Sequence, residues 1–285
     1  MRLNRGNINN NKGQVLLITV LLLATVITLV MTVVIRSRTD TQVTKLEEDS
    51  QKALKASEAG IEVGLRQQLD STQGNKQTFS YSNVPVLNDL HDVDVAHSQF
   101  TVELTPVTQF VTPLLDKDQQ YTFYLSNYNQ SSGQFTNSWS GNIDLYINSQ
   151  SYTSCTTGSV KPAIEATIVY GDVNAYKVSR WVIDPCSSPS RISGTLQSST
   201  TTSISIDGTS FSDKTQITAP ANSKLLIVRT YFSDSKIGIK SLGAPFSAQG
   251  KMIMATSVLN TNAQATEKYF QSYPQIPAEF FITSL

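Results

Sequence analysis

From Gln14 to Ile35 the chain carries no charged residue, no proline and no glycine. A helix over that stretch spans about 33 Å, enough to cross a bilayer core of roughly 30 Å. In front of it lies a polar leader, residues 1–13, with Arg2, Arg5 and Lys12, ending in Gly13. Three cations and the free amine before the run, against Arg36, Arg38 and Asp40 after it, favour a cytoplasmic N-terminus. A secretory signal has an apolar core of about 7–15 residues and a small-x-small cleavage site. This run is longer, and Val33-Val34-Ile35-Arg36 offers no such site, so the helix is expected to be retained.

Behind the apolar run the helical pattern continues over residues 36–70. Val43, Leu46, Ser50, Ala53, Leu54, Ser57, Ile61, Leu65 and Leu69 recur at steps of three and four, forming one stripe. Glu47, Glu48, Lys52, Lys55, Glu58, Glu62 and Arg66 fall largely off it, and Glu48 precedes Lys52 at helical pairing distance. The half of the stripe after Ala53 is expected to pack on a folded domain. The half before it projects beyond the bilayer as a contact surface for other helices.

The chain has 22 basic and 22 acidic side chains among 285 residues. A zero net charge supplies no global field for phosphate, so nucleic acid is not an expected partner. Past the helix the chain is rich in Ser, Thr, Asn and Gln, as in exported β-rich proteins. The fold class expected is α+β, with a long N-terminal helix followed by a β-rich antiparallel sheet or sandwich. Period-two alternation marks strands at Phe100–Leu104, Tyr121–Leu125, Ile143–Ile147, Ile164–Tyr170 and Tyr176–Val182. Gly171–Asn174 reads as the turn joining the last two. Further strands are expected at Ser203–Ile206, Leu225–Tyr231, Ile237–Ile239, Lys251–Leu259 and Lys268–Gln271. The Ser/Thr-rich stretch 187–202 reads as a linker dividing a first lobe, 71–186, from a second, 203–285. The aromatics of the proline-spaced tail Pro274–Phe281 are expected to cover a sheet edge.

Gly13-Gln14-Val15-Leu16-Leu17, the apolar run, Arg36-Ser37-Arg38-Thr39-Asp40 and Ala56-Ser57-Glu58-Ala59-Gly60-Ile61-Glu62 together resemble the N-terminal segment of type IV pilus minor pilins. The branch most similar includes the K-type pseudopilin of type II secretion and the minor pilin that primes pilus assembly. The resemblance covers residues 10–66. It implies cleavage after Gly13 by a membrane prepilin peptidase, methylation of Gln14, and packing against other pilin or pseudopilin subunits. The packing surface it implies is Val15, Leu16, Leu17, Ile18, Leu21, Leu22, Ala24, Val26, Leu29, Val30 and Val33. Major pilins carry Glu at the fifth mature position, which here is Ile18, and an N-terminal Phe, which here is Gln14. The missing carboxylate fits a tip or minor subunit, since such a group is costly in an apolar bundle without its partner.

Cys155 and Cys186 both lie in the presumed exported part, where a disulfide is permitted, and unpaired thiols are the alternative. Neither belongs to a zinc-type C-x-x-C pair. The one dense group of potential ligands is Asp89, His91, Asp92, Asp94 and His97. Oxygen donors there would suit calcium, yet the spacing matches no EF-hand loop and no H-E-x-x-H helix, so a solvated acidic loop is the favoured reading. Two histidines, no G-x-S-x-G elbow and no Gly-rich phosphate loop leave no basis for an enzyme or a cofactor. Trp139 and Trp181 suit sheet core better than sugar stacking. The function expected is an assembly subunit of a type IV pilus or related filament. It would be anchored in the inner membrane with an extracytoplasmic head, and would reach the cell surface on assembly. The alternative is a single-pass surface adhesin.

Overall fold

A computed structural model of the chain describes residues 11–67, 76–129, 132–158, 160–172, 175–186, 191–192 and 196–281. Helix α1 (Asn11–Arg66) is followed by β1 (Lys76–Ser80), the single-turn α2 (Pro85–Asn88), β2 (Gln99–Glu103), β3 (Gln109–Val111) and β4 (Gln120–Tyr124). Next come β5 (Tyr128–Asn129), β6 (Gln134–Phe135), β7 (Trp139–Ile147), β8 (Ala163–Asp172) and β9 (Ala175–Ile183). The rest is β10 (Leu196–Gln197), β11 (Thr200–Ile206), β12 (Thr209–Tyr231), β13 (Gly238–Ser241), β14 (Gly250–Val258) and β15 (Gln264–Ser272). A long apolar helix therefore precedes an antiparallel β-rich region, as the periodicity change at about residue 70 leads one to expect.

The first sheet has the order β1-β2-β14-β15, antiparallel throughout. Alternation along β14 turns Lys251, Ile253, Ala255 and Ser257 to one buried face, and α1 lies across it. The core between them holds Ala53, Ala56, Ile61, Tyr81, Phe100, Val102, Ile253 and Ala255.

The second body is organised by β12. Its first half pairs with β11 and β7, whereas its second half pairs with β8 and β4. The switch falls where the register shifts between Ala219 and Ser223, a stretch containing Pro220 and Asn222 at φ +64°. Proline removes a ladder donor and a residue in left-handed conformation turns the strand, so one strand carries both halves of a single nine-stranded sheet, which folds on itself there as a sandwich. Ile143, Leu145, Ile217 and Ile239 from one side meet Phe123, Ile164, Ile168, Leu226 and Val228 from the other in a single core.

This pairing corrects the expected division of the chain. β12 bonds directly to β4, β7 and β8, so residues 187–202 separate no lobes. The first sheet instead joins residues 76–103 to residues 250–272. Local composition marks a polar stretch but carries no information about which distant strands pair, and here its described part supplies β10 and the start of β11 to the same sheet as β7, β8, β9 and β12. Strand β12 also begins at Thr209, well before the expected Leu225, because its first half is largely polar outside and apolar only at alternate positions.

The tail departs from expectation as well. Tyr273 and Ala278 close a small core with Tyr124, Val169, Leu225 and Ile227 on the outer face of the sandwich, and Ile276 packs against it. Polar contacts hold the tail along β4: Thr122 N donates to Gln275 Oε1 at 2.6 Å, and Ile276 N to Thr122 Oγ1 at 3.0 Å. Phe280 is 74% exposed, and the side chain of Phe281 lies outside what the structure describes.

Candidate assembly surface

Every residue from Val15 to Glu48 is exposed, a rod of about 50 Å free of the folded head. Val15, Leu16, Leu17, Ile18, Leu21, Leu22, Val26, Leu29, Val30 and Val33 are each at least half exposed, with Ala24 among them. The polar atoms on this surface are internally satisfied. Thr19, Thr25, Thr28 and Thr32 donate to carbonyls one turn back, at 2.7–3.0 Å. In a helix such back-bonding removes the need for water, so the uncharged stretch up to Ile35 can enter an apolar medium. The helix is long and apolar enough to cross a membrane. Gly13 and Gln14 lie in its first turn, and residues 1–10 of the expected leader and 68–75 lie outside the described residues.

The rod is fastened to the head by small residues. Ala53, Ala56, Ser57, Gly60, Ile61 and Gly64 are buried, while Leu54 is 42% exposed, Leu46 is 67% exposed and Val43 and Ser50 are exposed. The expected stripe therefore holds only from Ala53 onward and rotates toward alanine and glycine. Leu69 lies outside the described residues. A Cβ on Gly60 would fall 2.1 Å from Tyr81 Oη, and one on Gly64 2.6 Å from Ile253 Cγ2. Close approach lets side chains of the head reach the helix backbone. Tyr81 Oη donates to Ala56 O at 2.9 Å, and Ser257 Oγ donates to Ala53 O. At the helix end Lys251 Nζ donates to Leu65 O and to Gln67 O. A cation there complements the helix dipole and satisfies carbonyls that have no partner in their own helix. Burial pushes the Lys251 amine below its ordinary range, and pushes the Tyr81 hydroxyl up to about 12. The contact is marked in the sequence by the four-residue spacing of Ala56, Gly60 and Gly64 rather than by large apolar residues.

Asp89, His91, Asp92, Asp94 and His97 do not converge. Asp94 Oδ2 meets His97 Nδ1 at 2.7 Å, and Asp92 stands 3.5 Å from Lys52, itself 3.0 Å from Glu48. Among the described residues no group of three or more His, Cys, Asp or Glu is placed to hold a metal ion. The segment is structural instead. Asp94 N donates to Val258 O, Val93 bridges to Leu259, and Leu87 and Val93 seal the top of the helix–sheet core. The His97 contact holds the Asp94 carboxyl below its ordinary range.

Cys155 and Cys186 are joined in a disulfide, with Cα atoms 5.8 Å apart. Trp139 is buried and donates from Nε1 to Ala244 O at 3.2 Å, and Trp181 packs against the sandwich core. Neither tryptophan is laid open as a stacking platform. No protein-family model, curated protein or solved structure matches the chain.

Proposed function

We propose that the chain is a minor pilin-like assembly subunit, whose free helical rod packs among the helices of a filament and holds a β-rich head outside the membrane. The observation that carries this reading is the uncharged, internally satisfied and wholly exposed surface from Val15 to Ile35, continuous with an anchored helix end. A rod that is only a lipid anchor needs the apolar stretch alone. Here the helix goes on unbroken for several further turns before it meets the head, and that exposed, mixed-polarity segment suits contact with neighbouring subunits. The likeness of Gly13-Gln14-Val15-Leu16-Leu17 to a prepilin processing site supports the same reading and adds the prepilin peptidase as a partner.

The test is the N-terminal residue of the protein recovered from membranes of cells expressing the whole chain with a prepilin peptidase, read by mass spectrometry. A start at Gln14, methylated or not, is the expected result. An intact Met1 overturns the pilin reading and leaves a plain anchored adhesin as the better account, and a cut beyond Ile35 overturns it by removing the helix altogether.

A further inference from the structure

At the end of the sandwich nearest the disulfide, two groups from two segments share the carboxylate of a third. Asn148 follows β7 directly, Asp213 lies on β12 opposite Ile147, and Lys161 stands just ahead of β8. Asn148 is 0% and Asp213 1% exposed. Lys161 Nζ meets Asp213 Oδ1 at 3.0 Å, and Asn148 Nδ2 donates to Asp213 Oδ2 at 2.8 Å. The amide is held on its other sides by Tyr152, whose N–H donates to Asn148 Oδ1 at 2.8 Å and whose carbonyl accepts from Nδ2 at 2.8 Å. An amine, a proton carrier, a polarised carboxamide and a donor at its oxygen are the parts that acyl transfer needs.

We propose that Lys161 and Asn148 become joined by an isopeptide bond that the chain forms by itself, with Asp213 moving the protons. Asp213 takes a proton from the Lys161 ammonium. The freed amine reaches Asn148 Cγ by rotation of its flexible stem, and its lone pair forms the Nζ–Cγ bond. The Tyr152 N–H steadies the negative oxygen of the tetrahedral intermediate. Asp213 Oδ2, already bonded to Nδ2, returns its proton there, the Cγ–Nδ2 bond breaks, and ammonia leaves. It carries off the second proton released by Nζ as ammonium, and Asp213 ends as the carboxylate it was. No oxidant or cofactor enters. Burial favours the step by keeping competing water from the amide and by holding the partners together. The chain holds an internal contrast: Lys214 and Gln216 also share a carboxylate, Asp144, at 2.7 and 3.1 Å. There the Lys214 side chain is 33% exposed and both groups sit on one strand, so no bond is expected. The Lys161–Asn148 bond would tie β7 to β8 in covalent form, beside the disulfide, in a head that hangs from a single helix.

The test is the intact mass of the purified full-length protein in detergent, followed by reduction and chymotryptic digestion. Expected is a mass lower than that of the disulfide-bonded chain by one ammonia. Cleavage after Tyr152, which lies between the two residues, should then leave their segments joined. The variants Asp213→Ala and Lys161→Met should restore the full mass. A wild-type mass that shows the disulfide alone overturns the proposal without recourse to any variant. Loss of ammonia with separate segments, as a succinimide at Asn148 would give, overturns it equally.

Discussion

Replacing Gly60 with alanine tests how the rod is held. On an unpacked helix face the change stabilises by about 1 kcal/mol, because glycine costs more backbone entropy than alanine. Here the new carbon falls 2.1 Å from Tyr81 Oη, 2.8 Å from Tyr81 Cζ and 3.0 Å from Ala255 Cβ. Overpacking of this kind costs about 1–3 kcal/mol. Displacing the hydroxyl from Ala56 O strands a buried donor, at about 1–3 kcal/mol more. Subtracting the propensity gain leaves a net loss of about 1–5 kcal/mol, centred near 3. The loss is local to the helix–sheet contact, so the assay is amide hydrogen exchange across 53–66 in the full chain in detergent. Each 1.4 kcal/mol is tenfold in the opening equilibrium, which predicts exchange faster by about two decades. Tyr81→Phe removes the nearest clashing atom, so adding it to Gly60→Ala should recover part of the loss as a coupling energy. Exchange slowed about fivefold by Gly60→Ala alone, the response of a free helix, would refute the packing described.

Three further outcomes follow from the same contacts. Replacing Cys155 and Cys186 by serine opens a loop of sequence separation 31 and should lower stability by roughly 3–4 kcal/mol, read by denaturant unfolding of the two forms side by side. Lys251→Met leaves Leu65 O and Gln67 O without their donor, and hydrogen exchange at the end of α1 should rise by roughly tenfold for a net loss of about 1.4 kcal/mol, with exchange in the sandwich unchanged. Alkaline stability should fall: burial raises Tyr81, Tyr121 and Tyr273 to about 12 and Tyr124 upward as well. A group whose folded value is raised contributes stability that is complete below its unfolded value of about 10 and lost as pH climbs through the folded one. Lys251, lowered by burial, acts in the opposite sense between its folded value and 10.5. The four tyrosines outweigh it, so circular dichroism and tyrosinate absorbance should show unfolding and ionisation together between about pH 10 and 12.

Much of the chain was legible because its signals are local. The apolar run, the strand alternation at Ile143–Ile147 and Ile164–Tyr170, and the β8–β9 hairpin each follow from residues close in sequence. What stayed hidden is of two kinds. The first is pairing between distant segments: nothing near Gln99–Glu103 announces that it will bond to residues 252–256, and nothing in the polar first half of β12 announces a strand that changes partners half-way along. The second is an interface made by absence of side chains. Gly60 and Gly64 read as weak points in a helix until Tyr81 and Ile253 are seen filling the space they leave.

These two hidden features explain each other. Residues 76–103 and 250–272 flank the sandwich in sequence and close around the end of α1 in space, so the rod is held by both ends of the head rather than by the one peptide that continues it. Force drawn along the helix meets Tyr81, Ser257 and Lys251, three donors on two distant segments, each bonded to helix carbonyls. For a head carried on one helix, that placement spreads the load into the sheet. A head attached only through residues 68–75 would let the rod peel away from it.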